Sequence, residues 1–331
     1  MDVAPIDATY AASLGRILQQ KYIIVKYINE GTFSHIFLIY NAERNLFFAA
    51  KQYERENYYI AKSEIDFLKS TNGNYHIIKL HDSFIDHNHV YLILDLLGDS
   101  IYDMLCKNNR LPLDTIRHMM KSILLGVGQL HANGIIHCDL KTDNILSTSI
   151  NPKINALICY LNKLNLATIK AEFYTHLSQN TDSQRLTIYA LRDYIMAISE
   201  QLTNACDTTT STGTEYRLID MGSAEYETNI EHNLIYHAYY RPPEVIYHKD
   251  YSCKSDIWVI GCIFYELLTN EILIDEPTIY QEIKTNPNFI RESLSIFNTD
   301  ESIIELLGYM IQYNESKRKT CSELLDTDFF R

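Results

Sequence analysis

The spacing of hydrophobic residues changes once along this chain, and that change limits the folds open to it. From Tyr22 to about Asp95 the apolar residues fall in short β-branched and aromatic runs, KYIIVKYI, HIFLIY, LFFAAKQY and HVYLILDLL, separated by the polar turns NEGTFS and NAERN. Such runs read as antiparallel strands. One helical pattern interrupts them at about Tyr59 to Lys69, where Ala61, Ile65 and Leu68 share a face and Glu64 lies on its border. Beyond Gly98 the spacing is helical. LDTIRHMMKSILLGVGQLH aligns Ile116, Met119, Met120, Ile123, Val127 and Leu130 and stops at Gly134, DIWVIGCIFYELLTN is apolar on nearly every face, and ESIIELLGYMIQY follows near the end. Because 331 residues are long for one core, two packed lobes or one large domain with insertions is expected, and the change of spacing makes it an α+β chain with a lobe boundary near Asp95 to Gly98. A short leader (1–21) precedes a β-rich lobe (22–95) and a helical lobe (96–331), the latter with an insert at 150–214. Within that insert RLTIYALRDYIMAISEQL reads as helix and CDTTTSTGT as loop. A helical pair resting on the helical lobe is expected there, as a docking or regulatory element or as a plain surface elaboration.

Composition narrows the partners. With 29 basic against 42 acidic residues the net charge is −13, which disfavours nucleic-acid backbone and anionic membrane and favours a basic partner. The seven cysteines include no C-x-x-C pair, so neither a disulfide framework nor a zinc site is indicated, and a reducing intracellular compartment fits. The N-terminus carries an acid where a signal peptide has basic residues, and the longest apolar run, IWVIGCIFYELL, is too short to span a bilayer.

Chemistry concentrates in HCDLKTDNIL, residues 137–146. Phosphoryl transfer needs charge neutralised on a triphosphate, oxygen ligands for a metal and a hydroxyl aimed in line. Asp139 can orient that hydroxyl and take its proton, Lys141 can balance charge on the moving phosphoryl, and Asn144 offers a neutral oxygen to Mg²⁺. A solvated loop can carry such a string by chance, so order along the chain matters. AAK puts Lys51 on the third strand, Glu64 follows in a helix, HCDLKTDN comes next, then IDMG (219–222) and RPPE (241–244).

In that order the chain resembles the protein kinase family from about Gly15 to Arg331. The resemblance implies a bilobal kinase fold, an ATP-binding β lobe and the cofactors ATP and Mg²⁺. Asp139, Lys141, Lys51 and Glu64 take the catalytic roles, with Lys51 paired to Glu64, and Asn144 and Asp220 hold the metal. Nucleotide contacts are implied for Ile28, Asn29, Gly31, Ser34, Ile36, Ala49, Lys51, Asp95, Leu97, Asn144, Leu146 and Asp220. Asp256 matches an aspartate that braces the catalytic loop, and Glu244 and Arg318 match a structural pair. In the glycine-rich loop, usually G-x-G-x-x-G, Asn29, Gly31 and Ser34 leave only the middle glycine. An asparagine such as Asn29 can adopt left-handed backbone, the Cβ of Ser34 limits approach to the phosphates, and nucleotide binding is expected to be weakened without being lost. Met221 replaces a phenylalanine, and His237 stands where many such kinases have a threonine contacting the catalytic aspartate.

Cys138 follows the histidine where kinases that need a phosphorylated activation loop usually have arginine. LAMMER (CDC-like) and SR-protein kinases of the CMGC group lack that arginine too, and GRILQQKYIIVKYINEGTF, DLLGDSIYDML, IDMGSAEY, YYRPPEV and Arg241 are similar to theirs. EPTIYQEI (276–283) stands where LAMMER kinases have EHLAMMER and keeps its two glutamates. The resemblance implies a monomeric kinase of the nucleus or cytoplasm that acts on Ser/Thr of basic, Arg/Ser-rich proteins, with autophosphorylation candidates Tyr226, Thr228 and Tyr236. The alternative is a catalytically weak kinase-fold scaffold acting through its insert.

Overall fold

The computed structural model describes residues 13–41, 43–44, 46–71, 74–108, 110–150, 152–163, 214–230, 235–247, 250–297 and 299–331. The helical run expected at 185–202, the loop at 206–213 and most of the leader lie outside the described residues. The main elements in chain order are β1 (Ile17–Leu18), β2 (Tyr22–Gly31), β3 (Ser34–Asn41), β4 (Leu46–Glu54), α1 (Tyr58–Ser70), β5 (Leu80–Asp86), β6 (His89–Leu94), α2 (Ile101–Lys107) and α3 (Leu113–Ala132). There follow β7 (Ile135–Ile136), β8 (Ile145–Ser147), α4 (Pro152–Lys163), β9 (Tyr216–Leu218), β10 (Glu225–Tyr226), α5 (Cys253–Thr269) and α6 (Glu301–Met310). Contacts group the described residues within 1–61, 80–98 and 149–212 into one unit and those within 62–79, 99–148 and 213–331 into a second.

In the first unit, β1 to β6 form an antiparallel sheet in the order β1-β2-β3-β4-β6-β5. Because side chains alternate along a strand, its ladder sorts them onto two faces. Tyr22, Ile24, Phe37, Ile39, Phe48, Ala50, Tyr91 and Ile93 form one buried cluster with Leu14 and Leu18. On the other face Ile36 lies opposite Lys51, Leu38 opposite Ala49 and Tyr40 opposite Phe47. There Val25 and Leu38 are buried beneath Ile28, Tyr40, Phe47, Leu96 and Ile154.

Ile154 belongs to α4, at the start of the insert. The sequence reading rested the insert on the helical lobe, whereas this helix covers an apolar patch of the sheet and groups with the first unit. Residues 62–79, which contain most of α1, group with the second unit rather than with the strands. Edge strand β5 was not foreseen either: LHDSFID is half-buried along nearly all its length and so lacks a clean alternation. Its carboxylates are held by ion pairs instead, Asp86 by Arg16 and Asp82 by Lys21 and the Tyr22 hydroxyl.

The second unit is built on α3 and α5. The predicted stripe of α3 is buried, from Ile116 through Leu130. α5 is buried on nearly all sides, including its only acid in the first turn, Asp256. A Cβ added at Gly261 would stand 2.7 Å from Ile311 Cδ1 and 2.9 Å from Met310 Cβ, so glycine lets the end of α6 approach the backbone of α5. A Ser252 capping box starts α5, and Asn270 in the left-handed region ends it. Two short antiparallel pairs, β7 with β10 and β8 with β9, pin the loops between the helices. Among the described residues no helix is long and apolar enough to cross a membrane.

Candidate active site

The sequence-predicted residues fall into two groups, one in each unit. In the first unit Ile36, Ala49 and Lys51 share the sheet face described above, with Ile28 packed on the same face. The turn between β2 and β3 is tight: Asn29 pairs with Ile36, Glu30 with His35 and Gly31 with Ser34. Asn29 is part of an extended strand and does not use the left-handed backbone open to an asparagine. Ser34 is buried, and its Oγ lies 3.1 Å from where a Gly31 Cβ would stand, so its hydroxyl is turned into the hairpin. Lys51 is buried with its Nζ 5.2 Å from the centre of the Tyr53 ring. After β6, Leu97 is buried and Asp95 Oδ1 meets His81 Nε2 at 2.7 Å, a partner that sequence reasoning missed.

In the second unit one buried carboxylate holds the start of the loop 137–144. Asp256, fully buried, accepts from the main-chain N–H of His137 (2.9 Å) and Cys138 (3.4 Å) and from the Tyr236 hydroxyl (2.9 Å), and its Oδ2 lies 2.9 Å from His131 Nε2. Burial alone would push this carboxyl up. The His131 hydrogen bond and charge, with the further contributions of His137, more than offset it and hold the group below the usual aspartate range. The brace itself was expected, but His131 and Tyr236 were not. Their only signal in the sequence was polarity beside apolar runs.

Between its ends the loop turns on Cys138, whose φ of 65° is left-handed. For a non-glycine residue such backbone costs of order 1–3 kcal/mol and persists only where the surroundings over-determine it. Here both the N–H and the carbonyl of Cys138 are bound, the latter by the N–H of Tyr236 at 3.0 Å, and the thiol is wholly buried against Ile136 O at 3.5 Å. Burial pushes this thiol far up, so it acts as a small apolar plug. Asp139 then receives Lys141 Nζ at 3.1 Å and Asn144 Nδ2 at 3.0 Å on its Oδ2, and Asn144 Nδ2 also donates to Asp139 O at 2.8 Å. Since its nitrogen is used this way, Asn144 directs its amide oxygen to the other side.

Asp220 is carried beside Asn144 by strand pairing. β8 and β9 pair Ile145 with Leu218, and the N–H of Ile219 donates to Asn144 O at 3.0 Å. His137 Nε2 lies 3.1 Å from Ile219 O on the same short connection. Asp220 is also left-handed, at φ 63° and ψ 73°, and its carboxylate caps the turn Met221–Ser223 at Gly222 N. Leu146 pairs with Arg217 in the same ladder and bridges to Ser100. Glu64 is buried at 1% exposure, deeper than the border position expected of it.

Around this loop, Arg318 is 0% exposed and grips Glu244 with two hydrogen bonds of 2.6 and 2.8 Å. Ser255 adds a third at 2.6 Å. Arg241 donates to the carbonyls of Ile235 and Tyr236, fixing the segment before RPPE. Tyr236 is thereby withdrawn from the modification candidates: it is buried, with its hydroxyl committed to Asp256. Tyr226 and Thr228 are exposed, as is His237, whose ring lies 5.3 Å from that of Tyr239.

Comparison with known proteins agrees with this geometry. The chain is 28% identical over 262 residues to the serine/threonine-protein kinase Doa of Drosophila melanogaster, covering 76% of this chain and 26% of that one. It is 29% identical to the serine/threonine-protein kinase AFC2 of Arabidopsis thaliana (81% and 56% covered) and 28% identical to the dual specificity protein kinase lkh1 of Schizosaccharomyces pombe (81% and 34%). These are kinases of the CMGC group and LAMMER type, and the chain spans less than two thirds of each. A crystal structure of a kinase domain superposes with a TM-score of 0.68 at 19% identity, covering 96% of this chain and 97% of that one, which shows the same α+β kinase fold. The model of the protein kinase domain matches residues 22–156 and 206–330, on either side of the insert, and the chain is therefore a member of the protein kinase family.

Proposed function

We propose that the chain is an active kinase that transfers the γ-phosphate of ATP to serine or threonine of basic, Arg/Ser-rich proteins. The observation that carries the reading is the catalytic loop: Asp139 is held by Lys141 and Asn144, with Asp220 brought beside Asn144 by one strand pair. Oxygen donors from Asn144 and Asp220 suit a hard ion such as Mg²⁺. Bound MgATP supplies the phosphoryl group and neutralises part of its charge. Asp139 would orient the acceptor hydroxyl and take its proton as the oxygen–phosphorus bond forms and the bond from the γ-phosphorus to the β–γ bridging oxygen breaks to release ADP, while Lys141 would offset charge on the moving group. The family resemblance assigns the nucleotide phosphates to Lys51 and further nucleotide contacts to Ile28, Ile36, Ala49, Asp95 and Leu97 in the first unit and to Leu146 in the second. The net charge of −13 favours basic acceptors, and the likeness to serine/threonine-protein kinases supports serine and threonine as acceptors.

The test is transfer of labelled phosphate from MgATP to an Arg/Ser peptide. D220N and K51M are each expected to lower transfer per folded molecule by about 10²- to 10³-fold, on the order of what removing one preorganised charge-stabilising group costs. Near wild-type transfer by both variants removes this mechanism. A second reading, a weakly catalytic scaffold, draws on the single remaining hairpin glycine and on α4 seated on the sheet. A rise in melting temperature with MgATP but no transfer by the wild-type chain would select it.

A further inference from the structure

The catalytic loop has a second tie to α5, made by a residue with no role so far. Thr142 follows Lys141 and opens the turn Thr142–Asn144. It is only 1% exposed, and its Oγ1 lies 3.4 Å from the hydroxyl of Tyr240. The Tyr240 hydroxyl has one hydrogen, and it is given to Glu266 Oε2 at 2.6 Å. Thr142 is therefore the donor in its contact with Tyr240, and the chain runs Thr142 to Tyr240 to Glu266. Glu266 lies near the end of α5, ten positions from Asp256 in its first turn, which is about 15 Å along the helix axis. One rigid helix thus grips the loop twice, before Asp139 through the N–H groups of His137 and Cys138 and after Lys141 through Thr142.

We infer that Thr142 is a positioning residue for phosphoryl transfer: its hydroxyl, through Tyr240 and Glu266, fixes the far end of the catalytic loop and with it Lys141 and Asn144. The inference rests on 137–144 being the phosphoryl-transfer loop. It also accounts for a departure seen in the sequence. His237 occupies the position where a threonine was expected to tie the activation segment to the catalytic aspartate, and it is exposed. Here Thr142 makes a hydroxyl tie between the catalytic loop and that segment at Tyr240, next to the Arg241 that holds Ile235 and Tyr236. At 3.4 Å the contact is long for two hydroxyls, so its effect should be several-fold rather than thousand-fold.

The experiment is steady-state kinetics of the full chain with MgATP and an Arg/Ser peptide. T142V keeps the shape and removes the hydroxyl; it should lower kcat about 3- to 10-fold with KM for ATP within about 2-fold, and T142S should restore kcat. Y240F should give a similar loss, and the double variant should be little worse than either, because both remove the same bridge. A purely structural role would instead shift melting temperature and leave kcat per folded molecule alone. Wild-type kcat in T142V, factors that multiply in the double variant, or no recovery in T142S would overturn the inference. If T142V does not fold, Y240F alone decides, and wild-type kcat there overturns it. A wild-type chain that binds MgATP but transfers no phosphate defeats the proposed function itself and this inference with it, a result distinct from active enzyme with indifferent variants.

Discussion

The β2–β3 hairpin and the loop 137–144 are both short and both are assigned to phosphate chemistry, yet they are held in opposite ways. The hairpin is positioned by its main chain: ladder pairing continues to Gly31 and Ser34, while the side chains from Asn29 to Phe33 are exposed. The loop is positioned by side chains, with Asp256 holding one end and Thr142, Tyr240 and Glu266 the other. A segment fixed by main-chain pairing asks little of its side chains, which is why two of three expected glycines can be replaced there. A segment fixed by buried charge asks for particular atoms, and HCDLKTDN supplies them.

The largest effect that follows is at Asp256. D256A strips two N–H groups, a tyrosine hydroxyl and a histidine of their shared acceptor inside the second unit. It should cost about 3–5 kcal/mol in urea denaturation, the range for breaking a buried charged network. N29A in the hairpin should cost less than about 0.5 kcal/mol, as for surface positions generally. Comparable losses from the two would break the contrast.

Acid sharpens it. Burial pushes the Glu244 carboxyl up, but the two Arg318 hydrogen bonds and charge, with Ser255, outweigh this and leave it below the usual glutamate range. Asp256 lies below the aspartate range for the reasons given above. A carboxyl whose folded pKa is depressed stabilises fully above its unfolded pKa and loses that stability as pH falls through the folded value. The second unit should therefore weaken below roughly pH 4.5, where the unfolded chain binds more protons than the folded one. Glu266 works the other way, since burial raises its pKa and protonation favours the folded form. Urea midpoints measured downward from neutral pH should fall, and fall less in E244Q, which has no such carboxylate to protonate. A wild-type midpoint that stays level through this range would show that these buried carboxylates do not govern the loop's support.

What was legible in the sequence follows the same division. The period of two in HIFLIY and LFFAAKQY gave the strands whose faces carry Ile36, Ala49 and Lys51. The helical stripe from Ile116 to Leu130 was legible because the residues it buries are, Ser122 apart, apolar. β5 was hidden because its half-buried residues are satisfied by ion pairs to Arg16 and Lys21 rather than by an apolar face. In the loop, residue types and spacing named Asp139, Lys141 and Asn144, but the partners of Asp256 come from α3 and from the segment before Arg241, more than a hundred residues apart. Long-range polar pairs leave no period in a sequence. The seat of α4 was hidden for another reason: Ile154 reads as one apolar residue of a helix, and only the sheet face at Val25 and Leu38, on which it packs, says where that helix goes.

Another small expected effect tests the hairpin itself. Gly31 has no left-handed backbone to protect, so alanine is conformationally allowed there. What alanine meets is the Ser34 hydroxyl, 3.1 Å from the new Cβ, a contact that must give by a few tenths of an ångström. G31A should therefore cost less than about 1 kcal/mol and raise KM for ATP by no more than about 3-fold. Adding S34G removes the oxygen in the way and should recover most of either loss. If G31A instead raised KM for ATP by a hundred-fold and S34G did not relieve it, the missing Cβ at Gly31 would be making room for phosphate rather than for Ser34. The hairpin would then depend on a particular side chain, or the lack of one, as strictly as the catalytic loop does.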